Sequence, residues 1–214
     1  VGASWRRLIE GGFVTTSVSQ SRSHFSFEDP GDDGIPVLAN DSEELDTRLT
    51  VQGDFESRSG LTMAVGLDAS RSSVEASVFQ RAIPGGALTE DLAWDEGVVL
   101  HKLSAFAQTT VDLGSRVKLT GGLRADEVST LDDGFEFSPR GSVLIDLGSG
   151  VTAQAGGGLY HQAPSLIALS VKDNGRPINL SLRQQRNVQV ASGVSWTVNQ
   201  GFRLSPEAFW TEYS

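Results

Sequence analysis

The chain has 214 residues, a formal net charge of −10 and no cysteine. This length allows one large β domain or two small ones, and the missing thiols exclude disulfides, cysteine-based zinc sites and thiol catalysis. The negative charge argues against a nucleic-acid partner, because the phosphates would be repelled. Hydrophobic residues make up only 38% of the chain, with no long apolar run, which excludes a helical membrane protein but not a transmembrane β-barrel.

The amino-terminal sequence VGASWRRLIEGG has no apolar h-region, so we expect no secretion signal in it. From there to the end, apolar and polar residues alternate in segments that predict ten strands and no helix. Residues 138–164 show the pattern clearly. Val143 and Ile145 fall on one face of a strand and Ser142 on the other, and a Gly-Ser-Gly turn leads into the next strand.

The connections between these strands alternate in length. Short turns of about two to five residues are predicted near positions 10, 59, 114, 149 and 199. Long loops, rich in turn formers and charge, are predicted at 29–41, 76–97, 128–137 and 163–185. Strands of roughly 10 to 16 residues exceed the five or six usual in globular sheets. Long strands with all long loops at one end predict an all-β, antiparallel transmembrane β-barrel.

Three short motifs resemble a known family. They are a strand ending in G-x-R-x-D at 122–126, a Ser-Pro-Arg strand start at 138–140, and a Gln-Ala-Pro step after a glycine-rich strand at 162–164. Their order and spacing from residue 103 onward are similar to the barrel of TonB-dependent outer-membrane receptors, and the earlier strands are compatible with it. The match is to the barrel portion only.

The resemblance implies a 22-stranded barrel with an amino-terminal plug in the Gram-negative outer membrane. Such a receptor is not an enzyme. It binds and imports a scarce solute (a siderophore, vitamin, sugar or peptide) without a cofactor, and its partners are that small ligand, outer-membrane lipid and the TonB complex reached through the plug. This chain lacks plug-like and TonB-box segments, supplies about ten strands and ends without the usual terminal aromatic. Residues 1–214 are therefore interpreted as one partial barrel domain, an internal fragment with the plug missing.

Little in the sequence predicts other chemistry. His24, His101 and His161 have no metal-like spacing and are interpreted as solvated or rim residues, so no metal site and no catalytic residue is predicted. An acidic loop could offer calcium ligands, but its spacing fits no EF-hand and a surface loop is the simpler interpretation; its residues are Asp29, Asp32, Asp33 and Asp41. The triplet 156–158 is interpreted as close strand packing rather than a phosphate cradle.

Two alternative functions stay open at this point. A closed ten-stranded barrel could be an outer-membrane hydrolase, which would need a clustered acid, base or nucleophile at adjacent strand ends. The chain could also be a soluble, acidic β-sandwich that binds a ligand. The β-sandwich does not explain why all the long loops fall at one end of the strands.

The alternation also predicts which side chains meet which environment. The lipid-facing positions are predicted to be Leu67, Leu119, Leu123, Val143, Ile145 and Val194, and the interior positions Arg124, Asp126, Gln154 and Gln189. An aromatic girdle is predicted near the short turns from Trp5, Trp196 and Phe202. The ligand-binding residues, predicted at the long-loop end, are Trp94, Asp126, Arg140, Gln162 and Arg183.

Overall fold

A computed structural model describes residues 1–31, 34–57, 60–82, 91–129, 131–165, 169, 172–173, 176–177, 181–199 and 201–214. Most of these residues lie in antiparallel strands, as alternation predicted. The strands are β1 Gly2–Ile9, β2 Gly12–Pro30, β3 Pro36–Glu56, β4 Leu61–Gln80, β5 Leu92–Leu113, β6 Val117–Val128, β7 Phe135–Gly148, β8 Val151–Gln162, β9 Lys172–Asp173, β10 Arg176–Pro177, β11 Gln185–Asn199, β12 Phe202–Leu204 and β13 Glu207–Tyr213.

One 11-stranded sheet contains all of them except β9 and β10, which pair only with each other. From β1 to β8 each strand of the large sheet pairs with the next along the chain, and β8 pairs with β11. Both β12 and β13 pair with β11, in sequence along the same edge, and Pro206 lies in the gap between them. Because proline has no N–H to give to a ladder, β12 and β13 form one interrupted strand. The sheet therefore has ten strand positions, which confirms the predicted number and the all-β antiparallel class.

The predicted loop bounds were wrong at three of the four long connections. The second strand ends at Pro30 and the third begins at Pro36, so only residues 31–35 separate them. Likewise β4 continues to Gln80, and β7 begins at Phe135. Charged and turn-forming residues indicated loops, but cross-strand hydrogen bonds satisfy the backbone whatever the side chains are, and polar side chains on both faces cost nothing outside an apolar layer. The strands β2 to β5 are consequently 19 to 22 residues long.

The turn between β7 and β8 shows how the sequence fixes a tight reversal. Gly148, Ser149 and Gly150 have φ angles of 81°, 53° and 75°. This left-handed region is strained for residues with a Cβ atom and free for glycine. Two glycines therefore make the turn, and Ser149 is the one described non-glycine residue in the chain with a positive φ.

Buried apolar side chains collect at the end of the sheet opposite the short turns. One cluster contains Leu100, Val128, Leu131 and Leu169, and a second contains Val74, Ala76 and Val78. Leu169 comes from the connection between β8 and β11 and packs onto the sheet. Among the described residues, no helix is long and apolar enough to cross a membrane.

Candidate functional site

The pairing register divides the sheet into an apolar face and a polar face. Leu119 lies opposite Val143, Leu67 opposite Ala105, and Val194 opposite Ala153, so the six positions predicted to face lipid share one face. On β5 this apolar face runs from Leu103 to Leu113. Those ten steps of about 3.4 Å, on a strand tilted by about 40°, span roughly 25 Å, the height of the apolar band of a membrane barrel.

The predicted interior residues lie together on the polar face. Arg124 and Asp126 are two residues apart on β6, and Gln154 on β8 and Gln189 on β11 lie on the same face. The three aromatic residues predicted to form a girdle lie on the other, apolar face. Trp5 is 59% exposed, and Trp196 and Phe202 flank the last short turn.

Asp126 is at the centre of the most buried polar network. Its Oδ1 accepts a 2.6 Å hydrogen bond from Ser104 Oγ and lies 3.0 Å from Lys102 Nζ, and its Oδ2 accepts a 2.9 Å hydrogen bond from Arg124 Nε. Only 6% of the Asp126 side chain is exposed. A buried carboxylate needs paired charge and hydrogen bonds, and these three partners supply both. The prediction placed Asp126 among ligand contacts, but its oxygens are already engaged within the wall.

His161, interpreted from sequence as solvated, is part of a second buried group. Its side chain is 4% exposed, with Nε2 3.2 Å from Glu136 Oε2 and Nδ1 3.0 Å from Ser138 Oγ. The ladder between β7 and β8 ends at the pair Arg140 and Gly158, so His161 lies past the last paired step, where it can turn towards β7. Glu136 is the cross-strand partner of Asp126, which makes the two networks neighbours.

Two residues of the connection before β11 pack against this polar wall. Gln184 is 4% exposed, and its Nε2 donates a 2.8 Å hydrogen bond to the Gly134 carbonyl. Leu169 packs beside Val128 and Leu100, which lie on the polar face next to Lys102 and Asp126. Leu169 and Gln184 therefore pack over the wall at this end of the strands.

Arg140 is exposed on the polar face and lies between two glycines. Its cross-strand partners are Gly122 and Gly158, which place no side chain beside it. A cavity of about 250 Å³ adjoins it, lined also by Gln108, Tyr160 and Gln189. Arg140 was expected to begin its strand at the long-loop end, but β7 begins five residues earlier, so the residue lies further down the wall.

The other predicted ligand contacts are spread along the long-loop end. Gln162 ends β8 opposite Gln185 and is exposed on the polar face. Arg183 is 81% exposed, 3.9 Å from the Asp133 carboxylate. Trp94 pairs with Val78 near the long-connection end of β5. Its side chain lies outside the described part of the structure. The structure thus places Arg140 and Gln162 on the polar face of the sheet. Arg183 lies outside the sheet, in the connection before β11.

Cross-strand pairing could have indicated part of what the sequence analysis missed. The short turn at 114–116 fixes the register of β5 and β6, and that register already pairs Ser104 with Asp126. The contacts of His161 depend on where the β7 and β8 ladder ends, for which the sequence has no signal.

No site for a metal ion is formed by the described residues, in which no three histidine or acidic side chains come together. Of the acidic residues considered as calcium ligands, Asp29 lies in β2 opposite Leu38 and Asp41 in β3 opposite Ser26. Asp32 and Asp33 fall outside the described part of the chain. The triplet 156–158 lies inside β8, where a Cβ on Gly157 would be 2.9 Å from the Gln189 carbonyl oxygen, so close strand packing is confirmed there.

A long antiparallel sheet with an apolar band on one face and a polar, ion-paired wall on the other defines part of a membrane β-barrel. The chain belongs to the TonB dependent receptor-like beta-barrel family, whose model matches residues 2–214. The resemblance seen in the motifs is thereby confirmed and extends over the first strands as well.

Solved structures of the same fold include a mutant of the ferric enterobactin receptor PfeA from Pseudomonas aeruginosa, with a TM-score of 0.77 at 17% identity over 99% of this chain and 34% of that one. The siderophore receptor PirA from Acinetobacter baumannii gives 0.72 at 15% identity, with coverages of 99% and 34%. The copper transporter OprC gives 0.70 at 16% identity, with coverages of 97% and 38%.

The chain thus spans about a third of the length of these structures. A search among curated protein sequences finds no match.

Proposed function

We propose that this chain is part of the wall of an outer-membrane receptor that binds a small solute and imports it with energy supplied through TonB. The observation that carries the proposal is the two-faced sheet, with an apolar band of membrane height on one face and a polar wall on the other, in a chain matched by the family almost from end to end. The apolar face would meet lipid of the Gram-negative outer membrane, and the polar face would line the lumen.

The remaining strands and the plug would come from the parts of the receptor that correspond to the other two thirds of its structural neighbours. Residues 1–214 would then form a single partial barrel domain. In this arrangement the edge strands β1 and β13 continue into further strands, which satisfies their free backbone groups within the membrane.

We infer a ligand-contact surface on the polar face towards the long connections. Arg140 and Gln162 offer an exposed guanidinium and an amide on one wall, and Arg183 and Trp94 lie nearer the rim. A few polar groups that orient a ligand beside apolar surface are typical of small-molecule sites. Asp126 stabilises the wall beside this surface, because its carboxylate fixes the side chains of Lys102 and Arg124.

Ser138, His161 and Glu136 invite comparison with a hydrolytic triad, which the barrel-enzyme alternative would need. A nucleophile has to be open to its substrate, and Ser138 is only 8% exposed. The network therefore favours a role in the wall rather than in hydrolysis, in agreement with a receptor family.

The test is uptake by cells that express the complete gene in a strain without its own receptors of this type. Labelled ferric siderophores, copper, vitamins, sugars and peptides would be offered with functional TonB and with TonB deleted. We expect one class of solute to be taken up only when TonB is present. Equal uptake of that solute in the two strains would overturn the proposed mechanism.

A further inference from the structure

The apolar band of the sheet ends at a sharp boundary that the register makes visible on four strands. The last apolar row across the apolar face consists of Val18, Leu49, Ala69 and Leu103. The next row towards the long connections consists of Gln20, Thr47, Arg71 and His101. Two residues further along each strand, the same face thus changes from a wholly apolar row to a wholly polar one.

Two basic side chains lie directly opposite each other in this boundary row. Arg71 on β4 pairs with His101 on β5, and both residues are exposed. Within the described part of the chain, neither side chain has a hydrogen-bond or ion-pair partner. The guanidinium is always charged, and an anion beside it could also accept a hydrogen bond from the His101 ring.

The acidic residues on the same face do not fill this gap. Glu43 is bound to Arg22. Glu75 lies four residues beyond Arg71 on β4, away from the apolar band, and Glu127 lies opposite Leu103 on β6. None of the three is the cross-strand partner of either basic residue. Because Gln20 Nε2 donates to Thr47 Oγ1 at 3.3 Å, the other half of the row satisfies itself.

We propose that Arg71 and His101 bind the phosphate of a lipid headgroup in the outer leaflet. This inference rests on the proposed function, which places the apolar band in the membrane. A phosphate attached to acyl chains fits the boundary because its chains would cover Leu103 and Leu67, which are 58% and 57% exposed, while its anion reaches the row above. Arginine suits this ligand because its planar guanidinium binds phosphate through two hydrogen bonds.

The test uses the complete receptor, purified in detergent, and bis-phosphorylated lipid A as the probe. Native mass spectrometry would count the lipid molecules that stay bound to the wild type, to Arg71→Gln, and to Arg71→Gln with His101→Gln. We expect the apparent affinity of the double variant to fall by about tenfold or more, since a charge-assisted hydrogen bond contributes about 1.5–3 kcal/mol. Dephosphorylated lipid A should bind the wild type as weakly as the double variant.

Arg7→Gln is the matched control, because Arg7 also lies on the apolar face, opposite Val14, but near the first short turn. It should leave lipid A binding unchanged. Equal losses from Arg7→Gln and Arg71→Gln would overturn the proposal, and so would equal retention of the two lipids by the wild type. Displacement of lipid A by inorganic phosphate alone would also contradict it, because the site would then bind the free anion. Normal TonB-dependent uptake in a receptor that fails this test would leave the proposed function intact.

Discussion

Ser104 and Asp126 are bonded across β5 and β6, with Ser104 Oγ donating to Asp126 Oδ1 at 2.6 Å, and they are 1% and 4% exposed. So short and buried a contact on the polar face shows that the wall has its own packed interior. Lys102 and Arg124 complete the network from the same two strands. The charge of the carboxylate is thus balanced locally, before any ligand is considered.

Replacing Asp126 with Ala should lower the free energy of unfolding by about 3 kcal/mol, because two cations would lose their common partner. This is the lower end of the range for a broken buried pair, since the Lys102 and Arg124 side chains are 24% and 31% exposed. Urea unfolding of the receptor in lipid vesicles would measure the change. Asp112→Ala is the control, because Asp112 pairs with Lys118 at 3.5 Å in an exposed position. It should cost less than about 1 kcal/mol, and equal costs would contradict a buried network.

Much of the fold follows from two local signals in the sequence. Alternation assigns Leu119 and Thr120 to opposite faces, and a short turn fixes the register of the two strands that it joins. Once the turn at 114–116 is placed, the pairs Thr110 with Thr120 and Ser104 with Asp126 follow without further information. The barrel class and the positions of the apolar face could therefore be predicted from the sequence.

The ends of the strands and the buried networks depend on contacts that are distant in the chain. The segment from Asp41 to Glu44 is polar at every position, yet it pairs with β2 and β4 throughout. Gln184 reaches the carbonyl of Gly134, 50 residues away. No local pattern encodes that distance, which is why the buried contacts of His161 and Gln184 were not predicted.

Arginine at position 119 tests which face meets lipid. Leu119 lies opposite Val111 and Val143 within the apolar band, so Leu119→Arg should cost about 2–4 kcal/mol in a lipid refolding assay. Thr120→Arg, one residue along on the polar face, should cost far less, because its charge would lie in an aqueous lumen. Equal destabilisation by the two changes would contradict the assigned orientation.

Alanine at Gly150 tests the strain in the turn between β7 and β8. Gly150 has a φ of 75°, and an added Cβ would lie 2.7 Å from the Thr197 carbonyl oxygen. Gly114→Ala is matched in φ, at 69°, but meets no atom within 4 Å. The control should cost about 1–2 kcal/mol from backbone strain alone, and Gly150→Ala should cost about 1–3 kcal/mol more from the overpacked contact. Identical unfolding midpoints for the two variants would show that β11 does not approach this turn.

The isolated chain of 214 residues should aggregate, or close imperfectly, when it is refolded in detergent. The edge strands β1 and β13 pair on one side only, and within a membrane water cannot satisfy their free backbone groups. Size-exclusion chromatography with light scattering and the mobility of unheated samples in gels would show the outcome. A monodisperse, heat-resistant monomer would contradict the partial barrel and would favour a closed ten-stranded one.

Alanine substitutions at Trp94, Arg140 and Gln162 test the ligand-contact surface in the complete receptor. Each should weaken binding of the transported solute by roughly 1–2 kcal/mol, or about five- to thirty-fold, as expected for truncation of a contact residue. Titration of the purified receptor with that solute would measure the affinities. The amount of folded receptor in the membrane should not change, because Arg140 and Gln162 are exposed on the polar face and Trp94 lies far above the apolar band.

Arg6→Ala separates a ligand contact from a general loss of positive charge on the wall. Arg6 also lies on the polar face, but at the short-turn end, where its Nε donates to Thr15 Oγ1 at 3.2 Å and its guanidinium covers the Phe13 ring. Its removal should leave the affinity unchanged, because Arg6 lies at the end of the sheet opposite Gln162 and Arg183. A loss equal to that of Arg140→Ala would mean that the wall attracts the solute only through its overall charge. Unchanged binding in all three contact variants would place the ligand against segments of the receptor outside residues 1–214.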